Sequence, residues 1–285
     1  MVNKIKFTKM HGLGNDFILV EGTEISKNKL QYGPLAKEMC DRNFGIGADG
    51  LIIVNPEDMK AGTDTSWRIL NSDGSEPEMC GNGIRCFAKY VYTKSYVDKK
   101  KFTVNTLAGI ITPEILENGE VKVDMGKPVL EAAKIPVRLG GLKSVINFPI
   151  EADGKSFDIT TVNMGNPHCV IFSGEDTALL ARKYGSIIEK KDIFPEKTNV
   201  EFVKVLSPNN IKIDVWERGC GITLACGTGA CASVVAAILN DLTNTKVKAD
   251  LPGGSLFIEW DIEEEDSSVF MTGKSEFVFE GEYIL

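Results

Sequence analysis

The sequence predicts an α+β protein of two pseudo-symmetric domains, each a curved antiparallel sheet around a central apolar helix. Three observations predict it. Short runs with β-type patterning, at residues 17–20, 51–54, 101–105, 121–125, 201–206 and 211–216, dominate the chain. Strong helical spacing is confined to a few segments: Ile84, Phe87, Ala88 and Val91 fall at i, i+3, i+4 and i+7, and Ala230, Ser233, Val234 and Ala237 repeat the pattern. Both helices follow the same kind of segment, Met79-Cys80-Gly81-Asn82-Gly83 and Ala225-Cys226-Gly227-Thr228-Gly229, with the cysteines 146 positions apart in a chain of 285.

Along the first half, Gly14-Asn15-Asp16-Phe17 leads into a strand. Residues 45–50, rich in glycine, lack the lysine and spacing of a P-loop and read as a turn between an N-terminal helix and a strand. Asn71 then stands nine positions before Cys80. The second half keeps this register: Gly165-Asn166-Pro167-His168 resembles the first glycine-asparagine turn, and Glu217 stands nine positions before Cys226. Three features in the same order, closed each time by a helix, indicate a duplicated domain. Residues 230–239 are apolar on nearly every side, which suits a helix buried at the centre of its domain. The boundary is expected near Gly126-Lys127-Pro128, giving domains 1–126 and 127–273.

Composition narrows the function. With 43% hydrophobic and 25% charged residues the chain has the balance of a folded globular protein. A net charge of −8 argues against a nucleic-acid footprint, so an anionic ligand must be captured locally, by an arginine or by backbone N–H groups. No run of about 18 apolar residues suggests a membrane partner, and the N-terminal segment has no leader-like apolar stretch, so the expected location is cytoplasmic. Seven cysteines, an odd number, read as free thiols. No C-x-x-C pair is present, and His11 and His168 lack ligand spacing, so no metal is expected.

Cys80 and Cys226 each precede a Gly-x-Gly turn that opens a helix, where unpaired N–H groups and the helix dipole favour negative charge. A thiol there is expected to ionise more easily than a free one. A lone cysteine at such a place packs under a turn as often as it reacts, but packing does not require the same thiol at the same helix start in both halves. Two opposed proton carriers suit inversion of a carbon centre, one removing hydrogen and the other supplying it. The N–H groups of Gly81, Asn82, Gly227 and Thr228 would hold the substrate carboxylate and stabilise the carbanion, so no electron-sink cofactor is expected.

The stretch His11-Gly12-Leu13-Gly14-Asn15-Asp16-Phe17, residues 45–50, Asn71-Ser72-Asp73-Gly74-Ser75, residues 79–85 and 163–169, Thr198-Asn199-Val200-Glu201 and residues 217–230 resemble the diaminopimelate epimerases. The resemblance implies cofactor-independent two-base epimerisation of LL-2,6-diaminopimelate to the meso form, in lysine and peptidoglycan precursor biosynthesis. It implies Cys80 and Cys226 as the acid/base pair, His168 and Glu217 beside them, and Asn15, Asn71, Asn166, Asn199 and Arg218 at the far end of the substrate. Arg218 suits a distal carboxylate, which it can grip bidentately, and Glu217 or amide oxygens can accept from a distal ammonium. In this family the final strand returns to the first domain, which would bring residues 274–285 back to residues 1–126. The expected partner is a small-molecule substrate, with a homodimer compatible with this reading. His11, Cys40, Cys86, Cys169, Cys220 and Cys231 read as structural. The rivals are a two-cysteine epimerase of proline or hydroxyproline, which would leave Arg218 without a distal charge, and a non-catalytic amino-acid receptor, which has no use for paired thiols.

Overall fold

The computed structural model describes residues 4–56, 62–264 and 266–285; the first three residues of the stretch read for a leader lie outside these. The chain forms two compact units, one running up to Val123 and taking back Gly273–Leu285, the other Asp124–Thr272.

The first unit contains strands β1 (Lys4–Gly12), β2 (Asn15–Glu21), β3 (Gly50–Val54), β4 (Thr65–Asn71), β5 (Val104–Thr106) and β6 (Gly109–Ile111), with helices α1 (Gly22–Lys27), α2 (Tyr32–Cys40) and α3 (Gly81–Thr93). A short hairpin, β7 (Glu114–Ile115) and β8 (Val121–Asp124), follows. The second unit contains β9 (Phe148–Ala152), β10 (Lys155–Asn163), β11 (Pro167–Phe172), β12 (Asn199–Ser207), β13 (Asn210–Glu217), β14 (Gly221–Ile222), β15 (Lys246–Leu251) and β16 (Gly254–Glu259), with α4 (Thr177–Glu189) and α5 (Gly227–Leu239). Strand β17 (Phe270–Gly273) adjoins β16 in the sheet order, and the C-terminal β18 (Glu276–Ile284) pairs with β1.

The duplication is visible in the pairing. In the first unit β1/β2 is antiparallel, β2/β3 parallel, β3/β4 antiparallel, β4/β5 parallel and β5/β6 antiparallel. In the second, β10/β11, β11/β12, β12/β13, β13/β15 and β15/β16 follow the same alternation. The α+β class holds, but the sheets are mixed where full antiparallel pairing was expected. Parallel neighbours need a crossover, and the intervening helices supply it: α2 and α3 in the first unit, α4 and α5 in the second. Within its own sheet β18 occupies the place that β9 holds in the other, antiparallel to the first strand of the repeat.

The two central helices obey their patterns. Ile84, Phe87, Ala88 and Val91 are all buried, and α5 is buried on all sides from Ala230 to Ile238. Helix α4 covers the second sheet through Leu180, Ala181, Tyr184 and Ile188, packed with Phe157, Phe202 and Ile159. At Gly185 the backbone of α4 approaches Trp216 of β13 so closely that an added β-carbon would lie 2.5 Å from the Trp216 β-carbon. Gly185→Ala would gain about 1 kcal/mol of helix propensity but must push α4 off β13, an overpacking cost that exceeds it. The expected net loss is about 2 kcal/mol in urea unfolding. Unchanged or raised stability would show that α4 is free to shift.

Candidate active site

Each of the two cysteines is the N-cap of its central helix. Cys80 has extended backbone (φ −144°, ψ 116°), as does Cys226 (φ −119°, ψ 111°). Their carbonyls accept the first helical bonds, from Ile84 N at 2.9 Å and Ala230 N at 3.0 Å. Their sulfurs accept from Gly83 N and Gly229 N, both at 3.4 Å. A sulfur that takes the third N–H of the helix leaves the first two, at Gly81 and Asn82 or at Gly227 and Thr228, in positions without an intrahelical acceptor. Both third positions demand glycine: a β-carbon at Gly83 would come within 2.9 Å of Ile69, and one at Gly229 within 2.7 Å of Glu201 Oε1 and 3.2 Å of Cys226 Sγ.

The sheet register brings the remaining residues to the helix starts. In the first unit Phe17, Gly50 and Asn71 stand opposite one another across β2, β3 and β4. In the second, His168 stands opposite Asn199, and the Val200–Trp216 pair brings Asn199 alongside Glu217. Asn71 and Glu217 thus hold equivalent places, as their common spacing from the cysteines predicts.

Around Cys80 the surroundings are polar and charged. The Asn15 Oδ1 lies 4.0 Å from Cys80 Sγ and accepts from Asn82 Nδ2 at 3.1 Å. Asn15 is therefore beside the Cys80 thiol. Its Nδ2 donates to Asp49 Oδ2 at 2.7 Å, and Arg42 holds Asp49 and Asp16 together at 2.8 Å each. Lys9 pairs with Asp16 at 2.7 Å. Burial pushes the Asp16 carboxyl up, but the hydrogen bonds from Arg42 and Lys9 outweigh it and hold the group at about 2. Asn71 is exposed, with its Nδ2 donating to Ser75 Oγ at 3.0 Å.

Around Cys226 the surroundings are buried. His168 and Glu201 are both 0% exposed, with His168 Nδ1 2.7 Å from Glu201 Oε1 and Nε2 2.8 Å from Asn166 Oδ1. Asn199 is a brace: its Nδ2 donates to the Pro167 carbonyl at 2.8 Å and its Oδ1 accepts Arg218 N at 2.9 Å. Glu189 accepts from Trp216 Nε1 at 2.9 Å and Gly219 N at 3.0 Å, fixing the same turn from the other side. The exposed Arg218 side chain donates to the Glu196 carbonyl at 3.2 Å and makes no ion pair among the described residues. Thr223 donates its hydroxyl to Glu217. The Thr228 hydroxyl lies 3.5 Å from Cys226 Sγ.

The ease of ionisation expected of a thiol at a helix start fails at Cys226. Burial, followed by the charge of Glu217, pushes this thiol well above the ordinary cysteine value, and the opposing hydrogen bonds from Thr228 and Gly229 N are weaker. The buried cysteines read as structural behave as such, burial raising Cys40 and Cys86 each to about 12 and Cys169 well above its ordinary value. Cys220 differs from that reading: it is exposed, on the turn that follows Arg218. His11 caps a turn, its Nδ1 accepting from Gly14 N at 3.3 Å. Among the described residues no helix is long and apolar enough to cross a membrane, and no three acidic, histidine or cysteine side chains converge as metal ligands.

Sequence reading missed Asp49, Glu201 and Glu189. Asp49 carried no separate signal, because Asp-Gly is a common turn pair. Glu201 carried a signal: a lone acid inside the apolar run Val200, Phe202, Val203 must find a buried partner.

The family model for diaminopimelate epimerase matches residues 7–131 and 160–278. A diaminopimelate epimerase of Carboxydothermus hydrogenoformans is 52% identical over 284 residues, covering 99% of this chain and 100% of that protein. One from Desulfitobacterium hafniense is 50% identical over 282 residues, covering 97% of each. Among solved structures, a PhzF-family phenazine biosynthesis protein of Bacillus anthracis superposes with a TM-score of 0.70 at 14% identity, covering 99% of each chain. A hydroxyproline epimerase of Agrobacterium vitis, bound to trans-4-hydroxy-L-proline, superposes with a TM-score of 0.69 at 11% identity, covering 100% of this chain and 94% of that one. These distant structures share the fold.

The elevated Cys226 thiol is measurable. The ultraviolet thiolate absorbance of wild type minus Cys226→Ser should show no ionisation at a pH of about 8.5, where a free cysteine is half ionised. A difference titration with its midpoint at or below that value would mean that the helix start outweighs burial.

Proposed function

The chain belongs to the diaminopimelate epimerase family, and on that premise we propose that Cys80 and Cys226 are the two acid/base groups that invert one α-carbon of LL-2,6-diaminopimelate. The enzyme converts the LL isomer to the meso isomer in lysine biosynthesis. The observation that carries the assignment is the repeated cap: each unit ends its catalytic strand-to-helix turn in a cysteine whose sulfur accepts the third helical N–H.

One thiolate removes the α-hydrogen from its face, and the sulfur on the other face delivers a proton. The electron pair left on carbon delocalises onto the α-carboxylate, whose oxygens meet the N–H groups of Gly81, Asn82, Gly227 and Thr228 at the positive ends of α3 and α5. Burial favours the thiol form of Cys226, which suits it as the proton donor of one stroke, with Cys80 the base of that stroke. The reverse stroke exchanges these roles. Asn15 and Asn82 serve the reacting end beside Cys80, and His168 and Glu217 support Cys226. Arg218, without an ion pair among the described residues, grips the distal carboxylate, with Asn71, Asn166 and Asn199 completing that end. Acid/base work by Cys80 and Cys226 needs both sulfurs kept reduced, which suits the cytoplasm.

A proline or hydroxyproline epimerase shares this fold, but a cyclic imino acid has no distal carboxylate for Arg218 to pair with. Incubation of the reduced enzyme with LL-diaminopimelate in heavy water should place deuterium at one α-carbon and yield meso product. Cys80→Ala and Cys226→Ala should each lose turnover by about three orders of magnitude or more while keeping the wild-type circular dichroism. Normal turnover in either variant, or exchange with proline alone, would overturn the assignment.

A further inference from the structure

Behind the Cys226 site, β12 delivers a carboxyl group to which no step of the reaction gives a role. Glu201 is 0% exposed, lies among the buried apolar residues Val200, Phe202 and Val203 of its strand, and packs its Oε1 against the first turn of α5 at Gly229. One oxygen, Oε1, lies 2.7 Å from His168 Nδ1; the other, Oε2, is buried with no hydrogen-bond partner among the described residues. The far side of the imidazole contacts Asn166 Oδ1 at 2.8 Å.

Two buried groups and a half-buried amide in a row permit few proton arrangements. If Glu201 were ionised against an imidazolium, the orphaned Oε2 would be an anionic oxygen stripped of every donor, a costly state in a dry interior. As a neutral acid Glu201 donates through Oε1, and Oε2 is then a carbonyl oxygen, whose lack of a donor costs far less. His168 Nδ1 accepts that bond, so the ring proton resides on Nε2 and donates to Asn166 Oδ1. Each contact then has one donor and one acceptor. Burial raises the Glu201 carboxyl against the opposing pull of His168, in the same sense. A neutral Glu201 also spares the Cys226 thiolate a second anionic neighbour beside Glu217.

We propose that Glu201 is a positioning residue of this site: it donates to His168 Nδ1, fixes the imidazole as the Nε2–H tautomer, and thereby holds Asn166 with its amide N–H₂ presented to a substrate carboxylate. The half-buried Asn166 makes no Nδ2 hydrogen bond among the described residues, so that donor is available. The assignment rests on the epimerase reading of the site, but its first test needs no turnover.

The chain has two histidines, His11 and His168, so nitrogen-15 spectra of the resting enzyme can be assigned with one His11→Gln variant. The expected spectrum shows His168 neutral, with Nε2 protonated and Nδ1 bare. An imidazolium, or a proton on Nδ1, overturns the proposal whatever the substrate. In kinetics, Glu201→Leu should raise KM about tenfold, the loss of roughly one well-made hydrogen bond, with a smaller change in kcat. Glu201→Gln, which keeps a donor toward Nδ1, should recover most of that loss. Because the relay acts through Asn166, Glu201→Leu should cost little further KM in an Asn166→Ala background. A Glu201→Leu KM within twofold of wild type, a Glu201→Gln loss as large as that of leucine, or additive effects with Asn166→Ala would each overturn it.

Discussion

The structure depends on one local contact: a cysteine sulfur capping the third N–H of a central helix. A serine in that position would satisfy the same donor with a shorter bond, but its hydroxyl is far less acidic than a thiol and a poorer carrier of a proton to and from carbon. The cap therefore fixes both the reactive atom and the direction of the two N–H groups that remain. Everything around it accommodates that geometry. Glycine is required at the third position because Ile69 in one unit and Glu201 in the other pack against the helix start, and α5 carries no charge along its length because it is enclosed.

The duplicated scaffold gives its two thiols unlike electrostatic surroundings. Beside Cys80 the supporting network is ionic, with Lys9 and Arg42 neutralising Asp16 and Asp49. Beside Cys226 it is a buried chain of hydrogen bonds with no lysine or arginine in it. Desolvation dominates where no cation is at hand, which is why the expected ease of ionisation fails at Cys226 although the helix start is the same. Backbone symmetry does not impose chemical symmetry.

Much of this was legible in the sequence. The duplication, the helix starts and the equivalence of Asn71 with Glu217 followed from spacing, because sheet register converts equal spacing into equal position. The parallel pairings were less visible, since short β-type runs do not declare the direction of their neighbours. Helix α4 was legible but unread: Leu180, Ala181, Tyr184 and Ile188 have helical spacing, and Asp176 caps the start by accepting from Ala178 and Leu179 N, yet Gly185 breaks the apolar impression. Asp49 and Glu201 act through a second residue, and a single sequence records the residue that touches a ligand more plainly than the one that holds it in place.

The repeat-related asparagines show what such holding residues accomplish. Asn15 and Asn166 occupy matching turns, yet Asp49 takes the Nδ2 of Asn15 and leaves its Oδ1 facing Cys80 and Asn82, whereas His168 takes the Oδ1 of Asn166 and leaves its Nδ2. One asparagine is thereby an acceptor and its counterpart a donor. An amide can present either edge at nearly equal intrinsic cost, so the choice belongs to the partner behind it. A carboxylate in one unit and a histidine in the other make opposite choices. The duplicated turn supplies the position, and the buried partner decides which substrate group it can recognise.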